Sequence, residues 1–356
     1  MTALSLNVLL VALVKVAVIY GGLLGVAAGM TLAERKFSAW MQFRVGPNRV
    51  GPWGLLQPLA DGVKFIFKEE LLPRGANKLL FRIAPMLAAV PAMMMIAVIP
   101  FAGEVAIPSL GTYTLPLLGD VELGGLTTTL SITDLDVSVL YVLAVGGLSI
   151  YGVILGGWAS NSKFSLLGSL RASAQMISYE LTLMLSLMSV VLLAGSLDLR
   201  QIVESQSSVT DWYIWSQPLA FLLFVVSTFA ETNRHPFDFA ECEPELVGGF
   251  HTEYSSMKFA LFFLGEYCAM TVMACLSVTF FLGGYSVPFL PDAPWWLELV
   301  AFCAKTSFFL FLFIWVRWTL PRFRFDQLMG LSWKVLLNLA LANLFVTGLL
   351  MAMGVL

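Results

Sequence analysis

Eight long apolar stretches, each close to the length of a membrane-spanning helix, constrain the fold of this chain more than any other feature. A transmembrane helix needs about 20 mostly apolar residues. The candidate spans are residues 6–31, 83–103, 136–157, 173–195, 214–230, 258–283, 295–317 and 333–355. Only 12% of the residues are charged, well below the usual share in soluble domains. Because unpaired backbone cannot face lipid and no alternating ten-residue strand pattern occurs, we expect an all-α integral membrane protein forming one polytopic domain over 1–356.

The distribution of Lys and Arg predicts how this bundle is oriented. Nine of the 20 basic residues lie in the connection 32–82, whereas the connection 104–134 has none. Cytoplasmic connections of membrane proteins carry the excess of basic residues. We therefore expect both termini on the outer side of the membrane. The connections expected in the cytoplasm are 32–82, 158–172, 231–257 and 318–332.

The first of these connections contains a predicted surface helix. After Pro58, apolar residues including Leu59, Val63 and Ile66 recur at helical spacing, and Asp61 and Lys64 fall on the opposite side. This pattern is typical of an amphipathic helix that lies along the membrane surface. On periodicity alone, a simple interfacial anchor explains the helix as well as a binding role does.

A few ionisable residues interrupt the apolar spans. Glu180, Glu266 and Lys305 lie within predicted helices, where charges are costly and usually face the bundle interior or a wet cavity. A functional role is therefore expected for the two glutamates. Lys15 lies nearer the end of an apolar helix, where packing or snorkelling of the long side chain explains it.

The segment 231–253 concentrates acid in an otherwise apolar chain. It holds six carboxylates and one arginine, a formal charge of −6 + 1 = −5. Apolar residues such as Phe237, Phe239 and Leu246 separate the acids, which a solvated acidic surface would not require. Crowding and burial both raise the pKa of carboxyl groups, so these acids could share protons near neutral pH. We expect a buried or half-buried proton relay rather than a solvated face.

The remaining motifs favour a quinone over a resident metal or nucleotide. The four cysteines form no CxxC pair, and no glycine-rich nucleotide motif occurs, so no metal, haem or nucleotide is expected in this chain. A quinone needs hydrogen-bond donors at its carbonyls and an apolar slot for its tail. Candidate donors expected on the cytoplasmic side are Arg35, Lys36, Gln42, Arg44, Lys64 and Arg322. Electrons would have to arrive from a partner docked on that face.

Several sequence blocks resemble one known family, the membrane H subunits of proton-pumping NADH–quinone oxidoreductase, respiratory complex I. The blocks are AERK (33–36), QFRVGPNRVGPWGLLQPLADGVK (42–64), WASNSKFSLLGSLRASAQMISYE (158–180), AETNRHPFDFAECEPELVGGFHTEYSSMKF (230–259), GEY (265–267) and PRFRFDQLM (321–329). They occur in the family's order along nearly the whole chain. The resemblance implies eight such helices in the same orientation.

The resemblance also implies a role for the cytoplasmic loops, which would form the membrane half of a quinone chamber. Quinone-binding residues would be Arg35, Lys36, Gln42, Arg44, Asp61, Lys64, Arg234 and Phe237. A proton relay would use Glu180, Glu231, Glu241, Glu243 and Glu245. Further path or structural residues would be Asp136, Asp238, Glu253, Glu266, Lys305, Arg322 and Arg324.

The partners that the resemblance implies are the other subunits of the complex. Peripheral subunits would carry NADH, FMN and the terminal iron–sulfur cluster, and neighbouring membrane subunits and lipids would surround the helices. No nucleic acid is expected, and a bacterial plasma membrane is the favoured location.

One departure from the family and two alternative functions remain open at this point. Some relatives carry a glutamate in the third helix, where this chain has Ser149, so a relay there would need Asp136 or water. The related subunit of a membrane-bound hydrogenase shares the acidic loop but does not always need quinone donors. An independent ion transporter would show inverted repeats with broken helices, and the sequence has none that we detect.

Overall fold

The computed structural model describes residues 3–108, 111–115, 119–123, 125–240, 243–290 and 293–354. Its long helices are α1 (Ala3–Met41), α3 (Lys78–Met94), α4 (Ser138–Ala159), α5 (Lys163–Ala194), α10 (Ser256–Phe281), α11 (Trp295–Thr319) and α13 (Leu337–Ala352). Its short helices are α2 (Gln57–Phe67), α6 (Leu199–Glu204), α7 (Tyr213–Ser216), α8 (Pro218–Glu231), α9 (Glu243–Leu246) and α12 (Phe325–Leu331). Seven helices in the described part of the chain are long and apolar enough to cross a membrane, with α12 and α13 counted as one. The predicted all-α membrane fold is confirmed.

The fifth predicted span, 214–230, is a bent pair of helices rather than one straight helix. The segments Val209–Ser216 and Pro218–Glu231 meet at 72°. Pro218 begins α8, a position where its missing N–H and fixed φ favour a helix start. Because α8 has only 14 residues, it is about 21 Å long at a rise of about 1.5 Å per residue. It is therefore shorter than the hydrocarbon core of a typical bilayer.

Two helices extend further into the predicted cytoplasmic connections than the apolar stretches suggested. Helix α1 continues to Met41 and α5 begins at Lys163, about ten residues beyond the predicted limits in each case. The added residues include many good helix formers, such as Ala, Leu, Arg and Lys, and lack Pro. The predicted surface helix is α2, which has no buried residue in this chain.

Short strands occupy the connection 104–129, where the sequence predicted no strand. Strand β1 (Glu104–Ala106) pairs antiparallel with β4 (Thr127–Thr129), with Val105 opposite Thr128. Between them, β2 (Gly111–Leu115) pairs with β3 (Gly119–Leu123) as a hairpin, with Tyr113 opposite Val121. These pairs satisfy the backbone of a connection that lies between two membrane helices.

The core of the bundle is built around α3, α4, α5, α8 and α10, whereas α1 and α13 are exposed along most of their length. Close approach of α3 and α4 depends on Gly152, because a Cβ there would lie 2.4 Å from the backbone nitrogen of Ala88. The turn Gly249–His251, within the acidic segment, packs against α4 and α5. This packing brings the acidic segment onto the helix ends.

Candidate functional site

A cleft of about 680 Å³ lies between α1, α2, α10 and α11. One part of its wall is apolar and includes Leu24, Ala27, Phe259, Phe263 and Leu264. The other part is polar and consists of Thr31, Glu34, Arg35, Ser38, Asp61, Tyr267 and Arg317. The cleft therefore suits a molecule with a polar head and an apolar tail.

Glu34 organises the polar part of the cleft. Its Oε2 accepts a hydrogen bond of 2.6 Å from the hydroxyl of Tyr267, and Arg317 forms an ion pair with its Oε1. The sequence analysis missed this residue, although a signal was present. Glu34 continues the buried stripe of α1 formed by Ile19, Leu23, Ala27 and Met30, which recur every three or four residues.

Arg234 connects the cleft to the interior of the bundle. Its Nη1 lies 3.3 Å from Oε1 of Glu34, and its Nε lies 2.7 Å from Oε1 of Glu266. The guanidinium carbon stands 4.4 Å from the ring centroid of Tyr267. Burial opposes its charge, but the carboxylates of Glu266 and Glu34 outweigh burial and raise the pKa of Arg234 well above the ordinary value. Arg234 is thus a permanent buried cation between two acids.

A second ion-pair group lies at the more exposed edge of the cleft. Nη1 of Arg35 is 2.6 Å from Oδ2 of Asp61, and Nζ of Lys64 is 3.3 Å from Oδ1 of the same residue. Partial burial raises the pKa of Asp61, but the hydrogen bond and charge of Arg35 outweigh this effect and hold the pKa below its usual value. The surface helix α2 is therefore fastened to α1 at the edge of the cleft.

A small cavity of about 70 Å³ lies on the other side of Phe263, whose ring also lines the cleft. Its titratable lining residues among those described are Glu231, His251 and Glu266, and Ser149 of α4 lines it too. Oε2 of Glu231 is buried and has no hydrogen-bond partner among the described residues. A cavity of this size can hold water, and its polar lining offers the necessary partners.

Glu180 lies close to this small cavity. Its carboxylate interacts electrostatically with that of Glu231. Helix α4 makes room for it with Gly147, where a Cβ would lie 3.0 Å from Oε1 of Glu180. The two intramembrane acids predicted from the sequence, Glu180 and Glu266, thus approach Glu231 from different helices.

The structure gives other members of the predicted relay different surroundings. Glu245 is exposed and forms a 2.6 Å ion pair with Arg171. Glu253 lines a separate surface cleft, beside Lys163. Glu241 lies outside the described residues, and the side chain of Glu243 is not described. Asp136 is exposed just before α4 and is absent from the described lining of the small cavity.

The remaining predicted quinone residues do not line the described cleft. Gln42 and Arg44 are exposed and hydrogen-bonded to each other, and Lys36 is half-buried. Phe237 is buried, and its carbonyl accepts a 2.7 Å hydrogen bond from the amide of Gln175. These side chains occupy the same end of the bundle without facing the cleft.

Three basic residues from the predicted set have local partners. Arg322 forms a 2.8 Å ion pair with Asp238, whereas Arg324 forms an exposed pair with Asp326. Nζ of Lys305 donates to three backbone carbonyls near the end of α10, those of Leu282, Gly284 and Ser286, at 2.7, 3.0 and 2.8 Å. Lys305 therefore secures the connection after α10 rather than joining the acids. No group of three potential metal ligands occurs among the described residues.

The fold and the site define a class of protein, a multi-pass membrane protein with two neighbouring spaces. One is a cleft whose wall is partly polar and partly apolar, and the other is a small cavity lined by acidic residues. A family model described as NADH dehydrogenase matches residues 14–348. The chain is 51% identical over 348 residues to an H subunit of NADH-quinone oxidoreductase from Geobacter metallireducens, covering 98% of each chain. It is also 52% identical over 334 residues to an H subunit of the same enzyme from Geobacter sulfurreducens, covering 94% of each. The H subunit from Thermomicrobium roseum is 50% identical over 341 residues, again with 94% of each chain covered.

The chain therefore belongs to the NADH dehydrogenase family of membrane proteins, whose relatives are named as H subunits of NADH-quinone oxidoreductase. It is part of an oxidoreductase complex, so its partners are other subunits of that complex. These names do not favour the alternatives, a hydrogenase-type subunit or an independent transporter.

Proposed function

We propose that this chain forms the membrane side of a quinone-binding chamber and couples quinone reduction to proton translocation. One observation carries the proposal: the ion-paired series Glu34, Arg234 and Glu266 joins a large cleft to a separate acidic cavity. An event in the cleft can therefore be felt at acids that the ligand does not touch.

In this proposal the quinone enters the cleft with its head toward the polar part. Arg35 and Arg317 lie in that part and can supply donors, and the apolar wall accommodates an isoprenoid tail. Lys36, Gln42, Arg44 and Phe237 would contribute where the chamber continues toward a partner protein. That partner holds the iron–sulfur cluster that reduces the quinone, and FMN and NADH belong to further peripheral subunits.

Reduction of the quinone by two electrons requires two protons, which leaves negative charge in the chamber until the protons arrive. In a medium of low dielectric constant, this charge acts over several ångströms on neighbouring groups. Arg234 transmits the effect electrostatically, since a guanidinium does not release its proton in proteins. Glu231 and Glu180 then exchange protons through the small cavity, and Ser149 with water takes the place of an acid on α4. Glu241, Glu243 and Glu245 would supply the path from the cytoplasmic side.

The proposed orientation in the membrane rests on the distribution of Lys and Arg. We place the chain in a bacterial plasma membrane with both termini outside, lipid around α1 and α13 and no contact with nucleic acid. Cysteine substituted for Leu55 or Phe325 should react with a membrane-impermeant maleimide only from the cytoplasm, and cysteine substituted for Leu115 only from outside. The reverse labelling would overturn the orientation and the direction of proton transfer.

Binding of quinone is tested with Arg35→Ala in assembled enzyme. Loss of a charge-assisted donor costs about 1.5–3 kcal/mol, so quinone reduction should fall by roughly 10- to 150-fold. Oxidation of NADH by an artificial acceptor should persist, because it uses only the peripheral subunits. Arg324→Ala is the matched control, since this arginine is exposed and pairs with the neighbouring Asp326. Equal quinone kinetics in both variants would contradict the proposed position of the head group.

Proton coupling is tested with Glu231→Gln and Glu231→Asp. Glutamine keeps the shape but carries no acidic proton, whereas aspartate keeps the acid with a shorter reach. Glutamine should lower quinone reduction and proton pumping together by about tenfold or more, and aspartate should restore part of both. Glu180→Gln should behave in the same way. Normal pumping by assembled glutamine variants would show that these acids do not carry protons.

A further inference from the structure

His251 is a titratable group of the small cavity that the proposed function does not yet use. Its imidazole lines the cavity together with Glu231 and Glu266. It lies on the turn Gly249–His251, at the point where the acidic segment meets the helix ends. Here the chain passes from the connection between α8 and α10 into the interior of the bundle.

The surroundings of His251 hold its ring in place with aromatic side chains. Its centroid lies 5.1, 5.2 and 5.9 Å from those of Phe250, Phe259 and Phe263. Gly248 lies beside the ring, where a Cβ would be 3.8 Å from both Cε1 and Nδ1. An aromatic cage of this kind fixes the plane of the imidazole.

Phe263 separates His251 from the cleft. Its ring lines the cleft on one side and the small cavity on the other, and Phe259 also lines the cleft. The imidazole therefore lies behind an aromatic partition, and on the cavity side of it. A group there is shielded from the ligand but close to the acids that respond to it.

The ion-paired connection between the cleft and the cavity does not conduct protons. It passes through Arg234, whose guanidinium keeps its protons, and Glu266 is engaged with that cation. Glu231 has a buried carboxylate oxygen with no hydrogen-bond partner among the described residues, and it needs a proton source. Among the described cavity residues, only His251 has a ring with two nitrogens, one of which can accept a proton while the other donates one.

We propose that His251 carries protons between the cytoplasmic side and the small cavity, as the group that recharges Glu231. The imidazolium gives one N–H proton to the Glu231 carboxylate and becomes neutral, and it then takes a proton from water on the cytoplasmic side. The charged groups that face this exchange are Glu231 and Glu266 in the cavity, with Arg234 and Glu180 beyond them. This inference rests on the proposed function, in which Glu231 passes protons onward.

The test compares His251→Gln and His251→Phe in the assembled complex in native membranes. Both variants remove the titratable group, while phenylalanine keeps an aromatic ring in the cage. Quinone reduction and proton pumping should each fall about tenfold at pH 7.5, because a positioned acid–base group contributes at least about 100-fold and water replaces part of it. Between about pH 5 and 8, the rate of quinone reduction should depend less on pH in both variants than in the wild type. NADH oxidation by an artificial acceptor should stay unchanged.

The other histidine of the segment supplies the matched control. His235 does not belong to the described lining of the small cavity. His235→Gln should therefore leave proton pumping at pH 7.5, and the dependence of the rate on pH, as in the wild type. Glu231→Gln, measured in the same preparations, separates the two hypotheses. If it abolishes pumping while both His251 variants pump normally, the role of His251 is refuted and the proposed function stands.

The remaining outcomes also decide the matter. If Glu231→Gln and the His251 variants all pump normally, the proposed function fails and the inference fails with it. A normal pH profile in His251→Phe with a lowered rate would assign the residue a packing role and overturn proton transfer. Loss of assembly in both His251 variants would do the same.

Discussion

Lys305 and Glu231 are both ionisable residues enclosed by apolar helices, yet their surroundings differ. All three protons of the Lys305 ammonium have an acceptor, the backbone carbonyls of Leu282, Gly284 and Ser286. Glu231 is 8% exposed, and its Oε2 has no hydrogen-bond partner among the described residues. It faces a cavity instead.

The difference separates a structural charge from one that is available for chemistry. Three hydrogen bonds offset part of the cost of burying Lys305 and hold its ammonium group in place. A buried polar atom without a partner is uncommon and calls for a specific explanation. At Glu231 the free oxygen can exchange a proton without first breaking a bond. A charged residue in an apolar run looks the same in both cases, so only the contacts reveal which role it has.

The largest expected effect comes from the buried ion-pair group around Arg234. Arg234→Met would remove the cation that pairs with both Glu34 and Glu266, leaving Arg317 as the ion-pair partner of Glu34, and breaking a buried pair from one side costs about 3–5 kcal/mol. We expect the variant chain to be lost from the complex, measured by subunit content and thermal denaturation. Arg324→Met is the control, because an exposed pair contributes at most about 1 kcal/mol. Equal loss in the two variants would remove the distinction between buried and exposed pairs.

Lys305→Met should have the next largest effect on stability. The substitution removes three charge-assisted hydrogen bonds and leaves carbonyls unpaired, so the free energy of unfolding should fall by about 3 kcal/mol or more. Any enzyme that does assemble should reduce quinone and pump protons normally, which is the opposite of Glu231→Gln. Ser307→Ala, on the same helix and bonded to the Cys303 carbonyl, is the control. A pumping defect in assembled Lys305→Met would show that Lys305, like Glu231, takes part in proton transfer and is not only a structural charge.

A smaller effect, which depends on pH, is expected at His235. Burial, together with the positive charges of Arg322 and Arg317, lowers the pKa of His235 below its ordinary value. The unfolded chain therefore takes up a proton near pH 6.5, while the folded chain takes it up only at lower pH. Above about pH 6.5 the histidine should not affect the free energy of unfolding. As the pH falls below about 6.5, the free energy of unfolding should decrease, because the unfolded chain binds the proton more readily than the folded chain.

Each unit of depression of the His235 pKa corresponds to about 1.4 kcal/mol. Thermal denaturation of the wild type and of His235→Gln between about pH 5 and 7 measures the contribution. The two melting temperatures should diverge toward pH 5, with the wild type losing more. Parallel curves would show that the histidine titrates alike in the folded and unfolded chains.

The smallest expected change is in the stability of Glu231→Gln. The buried Oε2 has no hydrogen bond to lose among the described residues, and glutamine has nearly the same shape, so the free energy of unfolding should change by less than about 1 kcal/mol. Large loss of function with little loss of stability would sharpen the contrast with Lys305. Strong destabilisation, seen by thermal denaturation, would mean that Glu231 is a structural charge as well.

The number of helices could be predicted from the sequence because it depends on local composition. Apolar length identifies each span, and Lys and Arg predict the orientation, without knowledge of any tertiary contact. Helix ends were less accurate: α1 extends through Arg35 and Lys36, which their charge had assigned to a loop. The strand pairs between residues 104 and 129 were not predicted either, because they depend on pairing across an outer connection.

The site could be predicted only as a set of residue types. Glu180 and Glu266 were identified because acids are rare in apolar helices, and Glu231 because it belongs to the acidic segment 231–253; the three do meet near one cavity. The pairing of Glu34 with Arg234 joins residues 200 positions apart, and no local pattern reports it. Likewise, Glu245 lies in the same acidic segment as Glu231 but is exposed beside Arg171. Burial of individual acids is decided by packing, which the order of residues in a loop does not reveal.

The short helix α8 has an electrical consequence. Its 14 residues span about 21 Å between Gln217 and Glu231, whereas the insulating layer of a bilayer is about 30 Å thick. The helix alone does not cross this layer, so one or both of its ends lie inside it, where a charge feels part of the membrane voltage. A charge that crosses the full voltage exchanges about 2.3 kcal/mol per 100 mV. Because Glu231 is the last residue of this helix, we expect its occupancy by a proton to respond to the energised state of the membrane as well as to the quinone.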